Sequence, residues 1–160
     1  MSETSVGREL DRWLAEHIMG LEVVGRAWAE RDGEGWLVSD QPSLACGQEQ
    51  WVYVVRTAKG ECNCVFGHKY KERLFGHTLQ CLDVVPPYYE DIAAAWQVVE
   101  KMRSLGYGIV MAGSVETHAE TWRVMFAKQV SDTYEDSFRA VGATAPEAIC
   151  RAALAAMDVA

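Results

Sequence analysis

At 160 residues, 49% hydrophobic and 24% charged, the chain has the size and composition of one globular domain that needs no covalent staples. No run approaches the roughly 18 apolar residues of a membrane span. The opening MSETSVGRELDRW lacks a leader pattern, and five cysteines are an odd number, so reduced cytosolic thiols are expected rather than a disulfide framework. A net charge of −8 argues against broad binding to DNA or to an anionic membrane.

The first predicted element is a helix over GRELDRWLAEHIMG. Leu10, Trp13, Leu14, His17 and Ile18 fall at helical spacing on one face, and Gly20 stops it. His17 reads as a partly buried helix residue, because no partner ligand stands near it in sequence. GRAWAERDGEGWLVSD reads as a β-hairpin. Two alternating runs, carrying Trp28 and Trp36, flank an Asp32-Gly33 turn signal. The stretch SDQPSLACGQEQ (39–50) is interrupted by Pro42 and Gly47, has no period and reads as a loop. WVYVVRT is a strand, with ECNCVFG as its expected hairpin partner, and TLQCLDVV is a further short strand. Pro86-Pro87 ends regular structure.

EDIAAAWQVVEKMRSLG is a clear helix. The expected buried stripe is Ile92, Ala95, Trp96, Val99 and Met102, and Gly106 supplies the left-handed stop. YGIVMAG, ETWRVMFAKQV and YEDSFRAV follow as strands. Trp122, Val124 and Phe126 share one face. The last helix begins at Thr144-Ala145-Pro146-Glu147, a reciprocal cap with proline in the first turn. Its stripe is Ile149, Ala153, Leu154 and Met157, and its alanines imply close approach to a neighbour. Strands mixed with separated helices, without regular alternation, predict an α+β domain: an antiparallel sheet layered with helices.

Two of these blocks, DIAAAWQVVEKM (91–102) and ATAPEAICRAALAAM (143–157), together with the opening LDRWLAEHIMGLE (10–22), resemble the phage ABA sandwich domain family, small proteins of phages and prophages. The resemblance covers about a quarter of the chain, in the family's order and spacing. It implies an α–β–α sandwich spanning residues 1–160, working in the cytoplasm of an infected bacterium. It carries over no catalytic residue. The chain departs from the family pattern at Tyr88-Tyr89-Glu90, where a serine or threonine is usual, and in a longer region from about Gln41 to Val85. That region reads as an insertion.

The insertion holds the most unusual stretch, ECNCVFGHKYKERLFGHTLQC. Between Arg56 and His77 stand five basic residues (Arg56, Lys59, Lys69, Lys71, Arg73) and two acidic ones (Glu61, Glu72), a local +3 on an otherwise acidic chain. Three chemistries compete for it. Cys62, Cys64, His77 and Cys81, with His68 and Cys46 as substitutes, supply enough thiolate and imidazole for a tetrahedral zinc site. The spacing matches no common finger, and a hairpin with buried thiols is the plainer alternative. Lys69, Lys71 and Arg73, with His68 and the rings of Tyr70, Tyr88 and Tyr89, could instead cradle and stack a small anionic ligand such as a cyclic nucleotide. A solvated basic loop needs neither reading.

The sequence holds no G-x-S-x-G, P-loop, G-x-G-x-x-G or H-E-x-x-H motif. Cys46-Gly47 with distant histidines is a pairing expected by chance, so no enzyme is expected. The expected function is a non-enzymatic phage accessory protein of the anti-defence kind, sequestering a small nucleotide-type immune signal. It would be a homo-oligomer without a resident cofactor. The alternatives are an inhibitor that docks on a host defence protein and a zinc-stabilised interaction module.

Overall fold

A computed structural model of the chain describes residues 3–32, 35–39, 48–55, 73–74, 77–78, 82–116, 119–130 and 133–158. In chain order the elements are α1 (Glu3–His17), β1 (Val23–Asp32), β2 (Gly35–Ser39), β3 (Gln48–Val54), β4 (Arg73–Leu74), β5 (His77–Thr78), β6 (Leu82–Val84), α2 (Ile92–Ser104), β7 (Tyr107–Glu116), β8 (Ala119–Val130), β9 (Thr133–Gly142) and α3 (Ala145–Met157). Every described strand pairing is antiparallel. The fold is therefore α+β, antiparallel sheet layered with helices, as the patterning predicts. The chain divides into two compact units. One comprises Met1–Gly20 and Pro86–Ala160, and the other is Leu21–Val85.

In the Leu21–Val85 unit four strands run in the order β2-β1-β3-β6. β1 and β2 form the expected hairpin, with Asp32 opposite Gly35. Alternation drives Ala27, Ala29, Val52, Val54, Leu82 and Val84 into one buried cluster. Opposite one another on β1 and β3, Arg26 lies 4.6 Å over the Trp51 ring and pairs with Glu49 at 3.6 Å. The predicted partner of β3 at 61–67 lies outside the described residues. Beside Val52–Val54 the ladder is held by β6, the strand read from TLQCLDVV, and β1 flanks β3 on its other side. A two-residue pair joins β4 to β5, Arg73 opposite Thr78 and Leu74 opposite His77.

The other unit is built on the sheet β7-β8-β9, against which α2 and α3 pack. Asp91 caps α2, its carboxylate accepting from the Ala93 and Ala94 amides at 2.7 and 3.1 Å. Gly106, at φ +90°, ends α2 in the left-handed region that favours glycine. The buried stripe of α2 is Ala94, Ala95, Val98, Val99 and Met102. The sequence placed Ile92 and Trp96 in that stripe, yet they are 50% and 42% exposed. Helix α2 packs against both α3 and β7. Small side chains at the contact let the axes approach, which turns the indole outward.

Helix α1 shows a similar rotation. Its buried face is Asp11, Leu14, Ala15 and Ile18, whereas His17 is exposed and stacks on Trp13 at 4.5 Å. In α3 the alanine content does what the sequence implies. Ala148, Ile149, Cys150, Ala152, Ala153 and Ala156 are fully buried, while Leu154 and Met157 lie at the margin. Contact is close enough that a Cβ on Gly142 would stand 2.7 Å from the Ala148 amide nitrogen.

Candidate functional site

The register of the three-stranded sheet sorts its side chains into two faces. Ile109–Phe126–Phe138 and Met111–Val124–Ala140 lie in rows across the strands, as do Gly113, Trp122 and Gly142. Val124 and Phe126 are buried in this set, and Gly142 meets α3, so this is the face the helices cover. Period two sends the remaining residues to the opposite face. Its rows are Gly108–Ala127–Ser137, Val110–Met125–Arg139, Ala112–Arg123–Val141 and Ser114–Thr121. Val110 is 58% and Val141 52% exposed, and Gly108, Ala112, Arg123, Ser137 and Arg139 are exposed as well.

A depression of about 360 Å³ sits on this open face, lined chiefly by Gly108, Val110, Met125, Ala127, Ser137 and Arg139. Its floor is apolar, with Ser137 and Arg139 as the polar groups. Arg123 stands diagonally across the β8–β9 pairing from Arg139, since Arg123 faces Val141 and Arg139 faces Met125. Diagonal neighbours of this kind lie about 7–8 Å apart, within reach of two long side chains. No carboxylate occurs in these four rows, Glu116 standing in the next one opposite Ala119, and among the described residues neither arginine has an ion-pair partner. On a chain of net charge −8, this is a local cationic and apolar surface.

Behind the sheet, a polar cluster ties the helices together. Asp11 on α1 is 6% exposed and accepts the Tyr89 amide at 2.7 Å. Burial, reinforced by nearby Glu90, lifts its carboxyl from 3.8 to about 7, against the opposing pull of the Tyr89 and Tyr88 amides and of Arg8. Cys150 donates its thiol to the Tyr88 carbonyl at 3.2 Å, and burial pushes that thiol well above the ordinary range. The Tyr89 hydroxyl donates to Glu147 Oε1 at 2.9 Å. Arg151 reaches the same oxygen at 2.7 Å, and the Ala143 amide donates to Oε2 at 2.7 Å. Partial burial alone would raise the Glu147 carboxyl, but Tyr89, Ala143, Arg151 and the Thr144 amide together hold it below its usual range.

This cluster settles where two of the sequence candidates lie. Tyr88 is 1% exposed, a core residue rather than a ring offered for stacking. Tyr89 is half-buried, its ring against Gly7 and its hydroxyl committed to Glu147. The remaining candidates, His68, Lys69, Tyr70 and Lys71, lie outside the described residues, as do Cys46, Cys62, Cys64 and Cys81 of the zinc reading. For Arg73 and His77 only the strand positions are described. Among the described residues no group of three or more histidines, cysteines or carboxylates could hold a metal ion.

The three helices and the cap at Thr144 coincide with the blocks that carry the sequence resemblance, and the β7-β8-β9 sheet lies between the second and the third. The profile of the phage ABA sandwich domain matches residues 12–154. The chain belongs to the phage ABA sandwich domain family. No curated protein and no solved structure matches it. Membership in the family accounts for the scaffold and assigns no residue a role. No helix of the described residues is long and apolar enough to cross a membrane. Sequence reasoning missed the open sheet face, although the signal was present. Alternation in TWRVMFA and DSFRAV puts Arg123, Met125, Ser137 and Arg139 opposite the buried Phe126 and Phe138 side.

Proposed function

We propose that this phage ABA sandwich protein is a non-enzymatic binder that sequesters a small anionic, nucleotide-type ligand on the open face of its three-stranded sheet, in the service of countering host defence. The supporting observation is the depression between Val110, Met125 and Arg139. Its volume lies at the small end of the roughly 300–1,000 Å³ that ligand sites occupy, and its lining combines apolar surface with a few polar groups. Arg139 and Arg123 supply forked donors suited to a phosphate, with no carboxylate in the rows to compete for them. Val110 and Met125 supply a flat apolar floor for a base. The phage setting favours a messenger ligand, because small phage proteins are known to act by sequestering such signals. The ligand would be released unchanged, in keeping with the missing catalytic motifs.

Titration calorimetry against cyclic mono- and dinucleotides and cyclic ADP-ribose isomers tests this reading. One ligand should bind, and replacing Arg123 and Arg139 with alanine together should weaken it at least about tenfold, the low end for losing a charged hydrogen-bond donor. Binding that survives both replacements but fails in a Lys69→Ala, Lys71→Ala protein would move the site to residues 68–73. Absence of heat with every ligand would overturn sequestration. It would favour the second reading, a surface that docks on a host protein, for which exposed Ile92 and Trp96 on α2 are the specific support.

A further inference from the structure

The two edges of the β7-β8-β9 sheet are built differently. β9 carries Glu135, Asp136 and Arg139, and its pairing with β8 is broken by a register shift at Ala127/Lys128. Charges and bulges are the devices that keep a sheet edge from pairing with another chain. β7 has neither. It is ten residues long, pairs with β8 in unbroken register, and bears no charge from Tyr107 to Val115. It contains no proline. Its middle is exposed on both faces: Val110 58% and Met111 38%, with Ala112 and Gly113 also exposed. Like any edge strand, it turns the amide and carbonyl groups of alternate residues away from β8, its one neighbour among the described residues.

We propose that β7 is a homodimer interface, in which the β7 edges of two copies pair antiparallel about a two-fold axis at Met111. Three observations single out a second copy as the occupant. First, the pairing is sterically self-complementary. With Met111 opposite its own copy, Val110 meets Ala112 and Ile109 meets Gly113, a large side chain against a small one each time. Second, a chain of net charge −8 can approach itself closely only where it carries no charge, and β7 is such a place. Third, this register keeps corresponding faces together. The two copies of α2 then lie on one side of a six-stranded sheet, each carrying the apolar pair Ile92 and Trp96. The open faces join on the other side, doubling the apolar and arginine-bearing surface. A register displaced by one residue would put the helices on opposite sides and oppose Met111 to Ala112.

Sedimentation equilibrium on the full chain should give about twice the monomer mass of 17.8 kDa. Met111→Lys and Val110→Lys should each return the monomer mass with unchanged far-UV circular dichroism, since both residues are exposed. Val141→Lys, on the opposite edge strand, should leave the dimer intact. Under mild oxidation Met111→Cys should form a covalent dimer that the parent chain does not, because residues facing each other across an antiparallel axis stand about 4.5–5.5 Å apart, inside disulfide range. A monomeric parent chain overturns the proposal. A dimer that survives both lysine substitutions, with no cross-link at Met111→Cys, overturns it as well. Calorimetry on the Met111→Lys monomer keeps this test separate from the ligand reading, because Met111 lies on the helix side of the sheet.

Discussion

The two faces of the β7-β8-β9 sheet are made by the same three long strands, yet they follow different rules. On the helix side, where α3 packs on β8, Val124 and Phe126 are buried, and even an added methyl group at Gly142 has no room. On the other side the same strands show Val110, Arg123, Arg139 and Val141 to solvent. The buried face must satisfy packing, so its residues are constrained by volume. The open face is free of that demand, and two arginines without an ion-pair partner among the described residues, beside exposed valines, are hard to explain by stability. The contrast teaches where to look for function: on the side that stability leaves unused.

Substitutions on the two faces should break or sharpen this contrast. Phe126→Ala, which empties a fully buried site, should cost about 3–5 kcal/mol in denaturant unfolding. Val110→Thr, on the open face, should change stability by less than about 0.5 kcal/mol. Equal losses at both positions would mean that the open face is a packed surface after all.

The polar cluster behind the helices gives a pH-dependent counterpart. Asp11 is held with its carboxyl at about 7 in the folded chain against 3.8 unfolded, chiefly by burial. Between those values the folded chain binds the proton that the unfolded chain has released. Stability therefore falls as pH rises through that window, by up to about 4 kcal/mol from this one group. Glu147 has the opposite sign: held low by its donors, it adds stability above its unfolded value that is lost in acid. Asp11→Asn keeps an acceptor for the Tyr89 amide and removes the proton exchange. Its stability at pH 8 should exceed the parent's, with the slope between pH 4 and 7 flattened. A slope that persists in Asp11→Asn would assign it to another group.

Much of this fold was legible because periodicity is local. The α2 and α3 cap signals, the Gly106 stop, the β1–β2 hairpin and the three long strands all follow from spacing within each segment. What failed was choosing among overlapping stripes. In α2, Ile92–Trp96 and Ala94–Val98 both satisfy helical spacing, and the winner was set by how closely α2 nears α3, a tertiary fact. Asp11 was unreadable for a related reason, since its partner Tyr89 lies 78 residues away. The open face is legible in the strand alternation, which sets Arg123, Met125, Ser137 and Arg139 opposite the buried side. Tyr88 is a candidate stacking ring by residue type alone, yet its burial in the core follows from packing that its own segment does not encode.

A milder substitution behind the sheet tests whether scaffold and open face are separable. Thr144 caps α3 by accepting the Glu147 amide at 3.3 Å, and Glu147 returns the contact through the Ala143 amide. Thr144→Ala should cost about 1 kcal/mol, the usual loss at such a cap. The cap serves the helix side alone, since no row of the open face includes α3. Any ligand affinity measured for the parent chain should therefore be unchanged in Thr144→Ala, provided the assay is run well below its melting temperature. A drop in affinity comparable with that of the arginine substitutions would show that the helix layer shapes the open face through the strands, and the two surfaces would then have to be treated as one coupled unit.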